Sequence, residues 1–191
     1  MLSKDGGVVM LSRDDGVKLV KRHVRNKNLQ KHMFATEAVM DALADRLGED
    51  RNLWSMAGLL HDLDYDETVK NPKRHGIRTA EMLETYDLPE EILNAILAHC
   101  GQKPCRTRMD RAIYAADPLT GLIVAAVLMH PSRKLESVDR EFILKRFKEK
   151  RFAAGASRDQ IRSCEELGLS LEEFVGISLK AMQAISGDLG L

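Results

Sequence analysis

Six polar residues stand where a helical core would put apolar ones: His32, His61, Asp62, His75, His99 and Asp117. His32 lies three residues from Leu29, four from Thr36 and seven from Val39, the spacing of one helix face. His61 and Asp62 close the run Ala57-Gly58-Leu59-Leu60. His99 follows Ile96 by three residues and Ile92 by seven, and Asp117 follows Ile113 by four, just before Pro118. His75 opens a His-Gly pair after Lys73 and Arg74. One histidine on an apolar face is usually a satisfied core residue, and one aspartate before proline is usually a cap. A whole set, with an adjacent His-Asp pair, asks for a shared partner. Imidazole and carboxylate are the ligands of zinc, iron and manganese. A buried carboxylate also needs a cation or several donors.

This ordered set resembles that of the HD-domain metal-dependent phosphohydrolases, which carry a His, then His-Asp, then a later Asp, all on helices. Here they are His32, His61-Asp62 and Asp117, and the run from Ala57 to Leu63 is similar to the family's small-apolar approach to His-Asp. The resemblance covers roughly residues 28–130. Members with two metals add two histidines before the last Asp, and His75 and His99 fit those places. The resemblance implies one metal site of His32, His61, Asp62 and Asp117, and a second of His75 and His99, with Asp62 bridging as the central catalytic residue. The implied cofactors are two divalent ions (Fe, Mn, Zn or Mg). The implied reaction is attack by an activated water on a phosphomonoester or phosphodiester of a small molecule, a nucleotide among the candidates. Two alternatives stand beside it: a di-iron oxygenase of the same superfamily, and a non-catalytic metal-stabilised binding module. Where many relatives read His-Asp-Ile-Gly-Lys, this chain reads His61-Asp62-Leu63-Asp64-Tyr65, so no role of that lysine carries over. In this it is similar to uncharacterised HD hydrolases with the same motif.

Other charged residues are weaker candidates. Lys73, Arg74, Arg78 and Lys103 flank His75 and His99 and are candidates for holding phosphate, against the alternative of a solvated surface. Lys73 and Arg74 should disfavour a protonated His75 and so favour a neutral ligand. Asp64 and Asp66 are candidates for holding a metal-binding residue in place or for acting as general acids, although in an Asp-Tyr-Asp segment they more often form turns. His23 and His130 are set aside, the first in a basic stretch and the second beside Pro131. The basic run from Lys145 to Arg151, interrupted by Glu149, reads as a solvated face. Phe174 and Met182 read as core.

The elements that must position these residues are helices. Leu, Ala and Met number 25, 18 and 9 against 11 Val and 9 Ile, which favours an all-α bundle. Helices are expected at about 15–25 with Asp14 or Asp15 as cap, from Asn28 to Leu47 ending at Gly48, and from Asp50 to His61. Further helices are expected at about 75–86, 89–99, 107–116, 137–153, 157–167 and 170–186. Pro118 should separate 107–116 from the apolar stretch 119–129. A capping box is expected over Ser170–Glu173. Residues 13–191 are expected to form one HD-type domain, with a motif-bearing core at 28–130, a helical extension at 131–191 and loose order before residue 13. Met10 is a candidate alternative start.

Charge balances at zero in 191 residues, which weighs against a general nucleic-acid binder. Three scattered cysteines form no disulfide framework and fit a reducing cytoplasm. No unbroken apolar run approaches the length of a membrane span, and no secretory segment opens the sequence. The expected partner is a small phosphorylated substrate. No membrane is expected, and homo-oligomers remain compatible.

Overall fold

The computed structural model describes residues 11–191; the expected loose order before residue 13 falls mostly, and Met10 entirely, outside them. Their regular structure is helical, as composition and periodicity required. Helix α1 (Arg13–His23) starts at Ser12, whose Oγ accepts the Asp15 amide. The cap is therefore Ser12, and Asp14 and Asp15 sit in the first turn, where carboxylates complement the helix dipole. Asn26 caps α2 (Lys27–Leu47) through the amides of Asn28 and Leu29. Gly48 ends it in the left-handed region at φ 72°. Asp50 caps α3 (Arg51–Leu60), after which His61 and Asp62 emerge from the helix end.

The segment between α3 and the next long helix is irregular. It contains α4 (Tyr65–Thr68), a 3₁₀ turn at Pro72–Arg74 and α5 (Ile77–Leu83), shorter than expected. Helix α6 (Glu90–His99) follows Pro89. Then α7 runs unbroken from Arg108 to Met129, with Pro118 inside it. The expected break is absent. Proline removes one intrahelical donor, at a cost of about 3 kcal/mol. Here α7 is packed against α2, α3, α6 and the C-terminal helices, and Leu119, Leu122, Ile123 and Ala126 are fully buried. That burial exceeds the local cost. By length and composition α7 would suffice to cross a membrane, at a mean hydropathy of 1.8; in this structure it runs through the bundle, with 56% of that window buried.

Helices α8 (Arg140–Lys148), α9 (Arg158–Arg162), α10 (Leu171–Ala184) and α11 (Ser186–Leu189) complete the chain. Only half of the expected Ser170 capping box forms: Ser170 Oγ accepts the Glu173 amide, while the Glu173 carboxylate pairs with Arg46 of α2. The full box is at Thr107 and Asp110, opening α7. One hydrophobic cluster runs from Leu19 to Leu189 and includes Phe174 and Met182, so α10 covers α2 and α7 from behind.

A backbone-to-backbone contact between α2 and α3 sets the site. A Cβ on Gly58 would stand 2.8 Å from the Thr36 carbonyl oxygen and 2.9 Å from Glu37 backbone atoms. Backbone meets backbone there, one turn before His61 and one turn after His32. Gly58→Ala must push α3 away from α2, because no side chain can yield. The expected outcome is a loss of about 1–3 kcal/mol in denaturant unfolding of the metal-free protein, with weakened metal binding. An unchanged unfolding midpoint would contradict this contact.

Candidate metal centre

The six residues singled out by type and spacing meet in one cluster. His32 comes from α2, His61 and Asp62 from the end of α3, His75 from the turn before α5, His99 from the end of α6 and Asp117 from α7. His32 Nε2 lies 3.0 Å from Asp117 Oδ1, 3.2 Å from His61 Nε2 and 3.7 Å from Asp62 Oδ2. His61 Nε2 lies 3.4 Å from Asp62 Oδ2. On the other side of the same carboxylate, Asp62 Oδ1 lies 3.3 Å from His75 Nε2 and 3.5 Å from His99 Nε2. Those two nitrogens are 3.2 Å apart. Asp62 thus turns one oxygen to each of two ligand groups.

The spacing can be tested against metal geometry. Two donors about 2.1 Å from one cation, at octahedral or tetrahedral angles, lie roughly 3.0–3.4 Å apart. Most of the separations fall in or near that range.

The ring tautomers agree with it. His61 Nδ1 donates to the Gly58 carbonyl at 2.8 Å, and His99 Nδ1 donates to the Ile96 carbonyl. His75 Nδ1 donates to Asp64 Oδ1 at 2.8 Å. Thr120 gives its hydroxyl proton to the Asp117 carbonyl, so its oxygen can accept from His32 Nδ1 at 3.0 Å. All four Nδ1 atoms are occupied as donors, and all four Nε2 atoms face the cluster. This is the outer shell that orients metal-binding imidazoles.

Electrostatics favour a cation. Burial disfavours a charged His61, yet Asp62 and Asp117 outweigh it and raise its pKa to about 9. Burial likewise works against an ionised Asp62, but His61, His99 and His32 hold it well below the usual carboxylate range. Asp117 is lowered in the same way by His32 and His61. His75 is raised: burial opposes its charge, while Asp64 and Asp62 favour it. The like-charge argument from Lys73 and Arg74 is therefore corrected, since the ring faces carboxylates and Arg74 pairs with Glu81.

Asp64, a candidate for supporting a metal-binding residue, does so by holding His75. It is fully buried. One oxygen holds His75; the other accepts the backbone amides of Gly76 at 2.8 Å and Thr79 at 3.1 Å. It fixes the His75 ring and the start of α5 at once. Asp66 instead accepts the amides of Arg25 and Asn26, tying α4 to the α1–α2 link. The cationic candidates are spread around the rim. Arg74 and Arg78 pair with Glu81, Arg78 also with Glu67, and Lys103 donates to Asn94; Lys73 is exposed. These are exposed pairs of small energy.

Cys100 lies near His75 and His99, but burial pushes its thiol up to about 11, and its proton is directed at backbone carbonyls that include His75 O. In the metal-free protein it is a thiol. His23 and His130 lie outside the cluster, as expected; His130 bonds Ser132. A cavity of about 810 Å³ opens among α1, α2, α3 and α6 and includes none of the six residues.

Residues 29–122 match the family model of the HD domain. The chain carries an HD domain. Curated relatives agree. Ribonuclease Y of Desulfotalea psychrophila is 30% identical over 138 residues, covering 70% of this chain and 26% of the relative. Ribonuclease Y of Nitratidesulfovibrio vulgaris is 31% identical over 98 residues, covering 50% and 18%, and that of Aliarcobacter butzleri 33% over 94 residues, covering 49% and 18%. The chain thus spans about a quarter or less of the length of these relatives. No solved structure matches. HD domains bind divalent metals, in keeping with the donor set of this cluster. Because the relatives are named ribonucleases, the zero net charge of this chain no longer sets nucleic acid aside.

Two outcomes follow from the cluster. Asp64→Asn places an amide among three N–H donors and leaves at least one without an acceptor. Affinity of the His75–His99 side for metal should fall about 10–100-fold in titration calorimetry, with the His32–Asp117 side less affected; equal weakening of both would argue against this role. Second, His61 is protonated in the metal-free protein at pH 7, since its pKa is about 9. A ligating imidazole must be neutral, so metal binding should release a proton. Apparent affinity should then rise with pH, about tenfold per unit, and level off above pH 9. A pH-stat titration without proton release at pH 7 would contradict it.

Proposed function

We propose that this chain is a metal-dependent phosphohydrolase using two divalent cations held by the six residues. The observation that carries the proposal is Asp62, whose two oxygens face two separate imidazole groups. Iron, manganese and zinc suit four imidazoles and two carboxylates; magnesium suits them less.

His32, His61, Asp62 and Asp117 would hold one cation, and His75, His99 and Asp62 the other. Two such ions supply Lewis acidity toward phosphoryl oxygens and a water acidified toward neutrality. The chain's own residues set the geometry for that chemistry. His61 and His99 lie at the dry base of the site, with side chains 0% and 1% exposed, while Asp117 is 29% and His32 21% exposed. The substrate therefore arrives along the His32–Asp117 edge. The buried side excludes water and strengthens each charge interaction there.

The substrate in this proposal is a phosphomonoester or phosphodiester of a small molecule. RNA is a second reading, favoured by the ribonuclease relatives, although this chain matches only a fraction of their length. The deciding experiment combines elemental analysis of protein purified without added metal with hydrolysis of 4-nitrophenyl phosphate, bis(4-nitrophenyl) phosphate and a short RNA.

The metal-replete protein should hold about two ions per chain. His75→Ala with His99→Ala should leave about one, and Asp62→Ala should lose both ions and all ester hydrolysis. Full metal content in Asp62→Ala would refute the ligand assignment. Oxygen uptake without phosphate ester cleavage would replace the proposal with the oxygenase.

A further inference from the structure

A second recess, of about 590 Å³, opens between the end of α1, the α1–α2 link and α4. Its charged lining is Arg22, His23 and Arg25 on one side and Asp66 and Glu67 on the other. The acids are already engaged. Asp66 accepts two backbone amides, and Glu67 accepts Arg78 Nε at 3.1 Å. The guanidiniums of Arg22 and Arg25 have no side-chain partner among the described residues. The dipole of α1 accounts for Arg22 and His23, which stand in its last turn. It does not account for Arg25, which lies beyond the helix.

Two elements join this recess to the metal cluster. The first is α4. Asp64, at its start, holds His75; Tyr65 sets its ring against His75 at 5.5 Å between centroids; Asp66 and Glu67 line the recess. Tyr65 is 41% exposed, an aromatic surface beside His75 and next in the chain to Asp66. The second is α2, which begins beside Asn26 at the recess and reaches His32 about 9 Å further along its axis.

We infer that the recess binds a second anionic group of the substrate, with Arg22 and Arg25 as donors and Tyr65 covering the flat or apolar part between. The inference rests on the phosphohydrolase reading and narrows it. The substrate is a phosphate ester that carries a further phosphate, and the rise of α2 by about 9 Å between Asn26 and His32 points to dinucleotide size. Arginine suits that role because its planar donors match phosphate oxygens.

The test compares a 5′-phosphorylated adenosine dinucleotide with the same dinucleotide lacking that phosphate, on metal-replete wild-type protein and on Arg22→Gln/Arg25→Gln. Binding is read by calorimetry, turnover by product release, and folding of the variant by circular dichroism. The wild type should prefer the phosphorylated dinucleotide by about tenfold, and the variant by less than about twofold. Equal binding of both dinucleotides by the wild type, or a preference that survives in the variant, overturns the subsite. Hydrolysis of bis(4-nitrophenyl) phosphate by the same sample reports on the parent reading. If that ester is untouched while the binding preference follows the arginines, the recess stands and the hydrolase falls. If the ester is cleaved without such a preference, the reverse holds.

Discussion

A carboxylate almost wholly removed from water is the constraint on which the site depends. Asp62 sits at the end of α3 among four imidazoles, ionised against the cost of its burial. A lone ion in that position would be displaced or protonated. It is retained because four separate parts of the chain deliver nitrogen atoms to it, and each of those nitrogens is aimed by a hydrogen bond on the far side of its ring. The fold can be understood as the apparatus that brings those parts together. Helix α2 carries His32 to the end of α3, α7 brings Asp117 in from the centre of the bundle, and α6 supplies His99.

The two halves of the cluster are supported differently. His61 and His99 bond carbonyls of their own helices, three residues back, so their aim follows directly from helical geometry. His75 has no helix to hold it. It lies in the irregular stretch after α4, and its ring is fixed by Asp64, a side chain eleven residues away. Gly76, at φ 76°, lets the chain turn there with its amide on the same carboxylate and with the Cys100 thiol where a Cβ would lie.

Much of this was legible in the sequence. Periodicity marked the faces of α2, α3 and α6, and a polar residue on each apolar face marked a ligand candidate. Those residues converge because helices packed by their apolar faces bring such exceptions together. What was not legible was tertiary. Pro118 reads locally as a break, and only the packing around α7 shows why the helix continues. Asp64 reads as a turn former because its partners at 75–79 are joined to it by an irregular segment with no period to reveal the register. A faint sign existed, since Asp64 directly follows the stretch from Met56 to Leu63, which is buried throughout. Arg74, Arg78 and Lys103 looked like phosphate ligands from their sequence neighbours, yet their side chains turn to Glu81, Glu67 and Asn94.

The meeting of α2 and α3 at Gly58 has a consequence for ion choice. Where helices are separated by side chains, their spacing can adjust by rotamer changes. Here the main chains are in van der Waals contact, so the gap between His32 and His61 is set by hard atomic radii. That half of the cluster is held by main-chain packing. The half built on His75 is held instead by hydrogen bonds to the Asp64 side chain. Under the proposed two-cation reading, the position built on α2 and α3 would be the one that discriminates between ions by size.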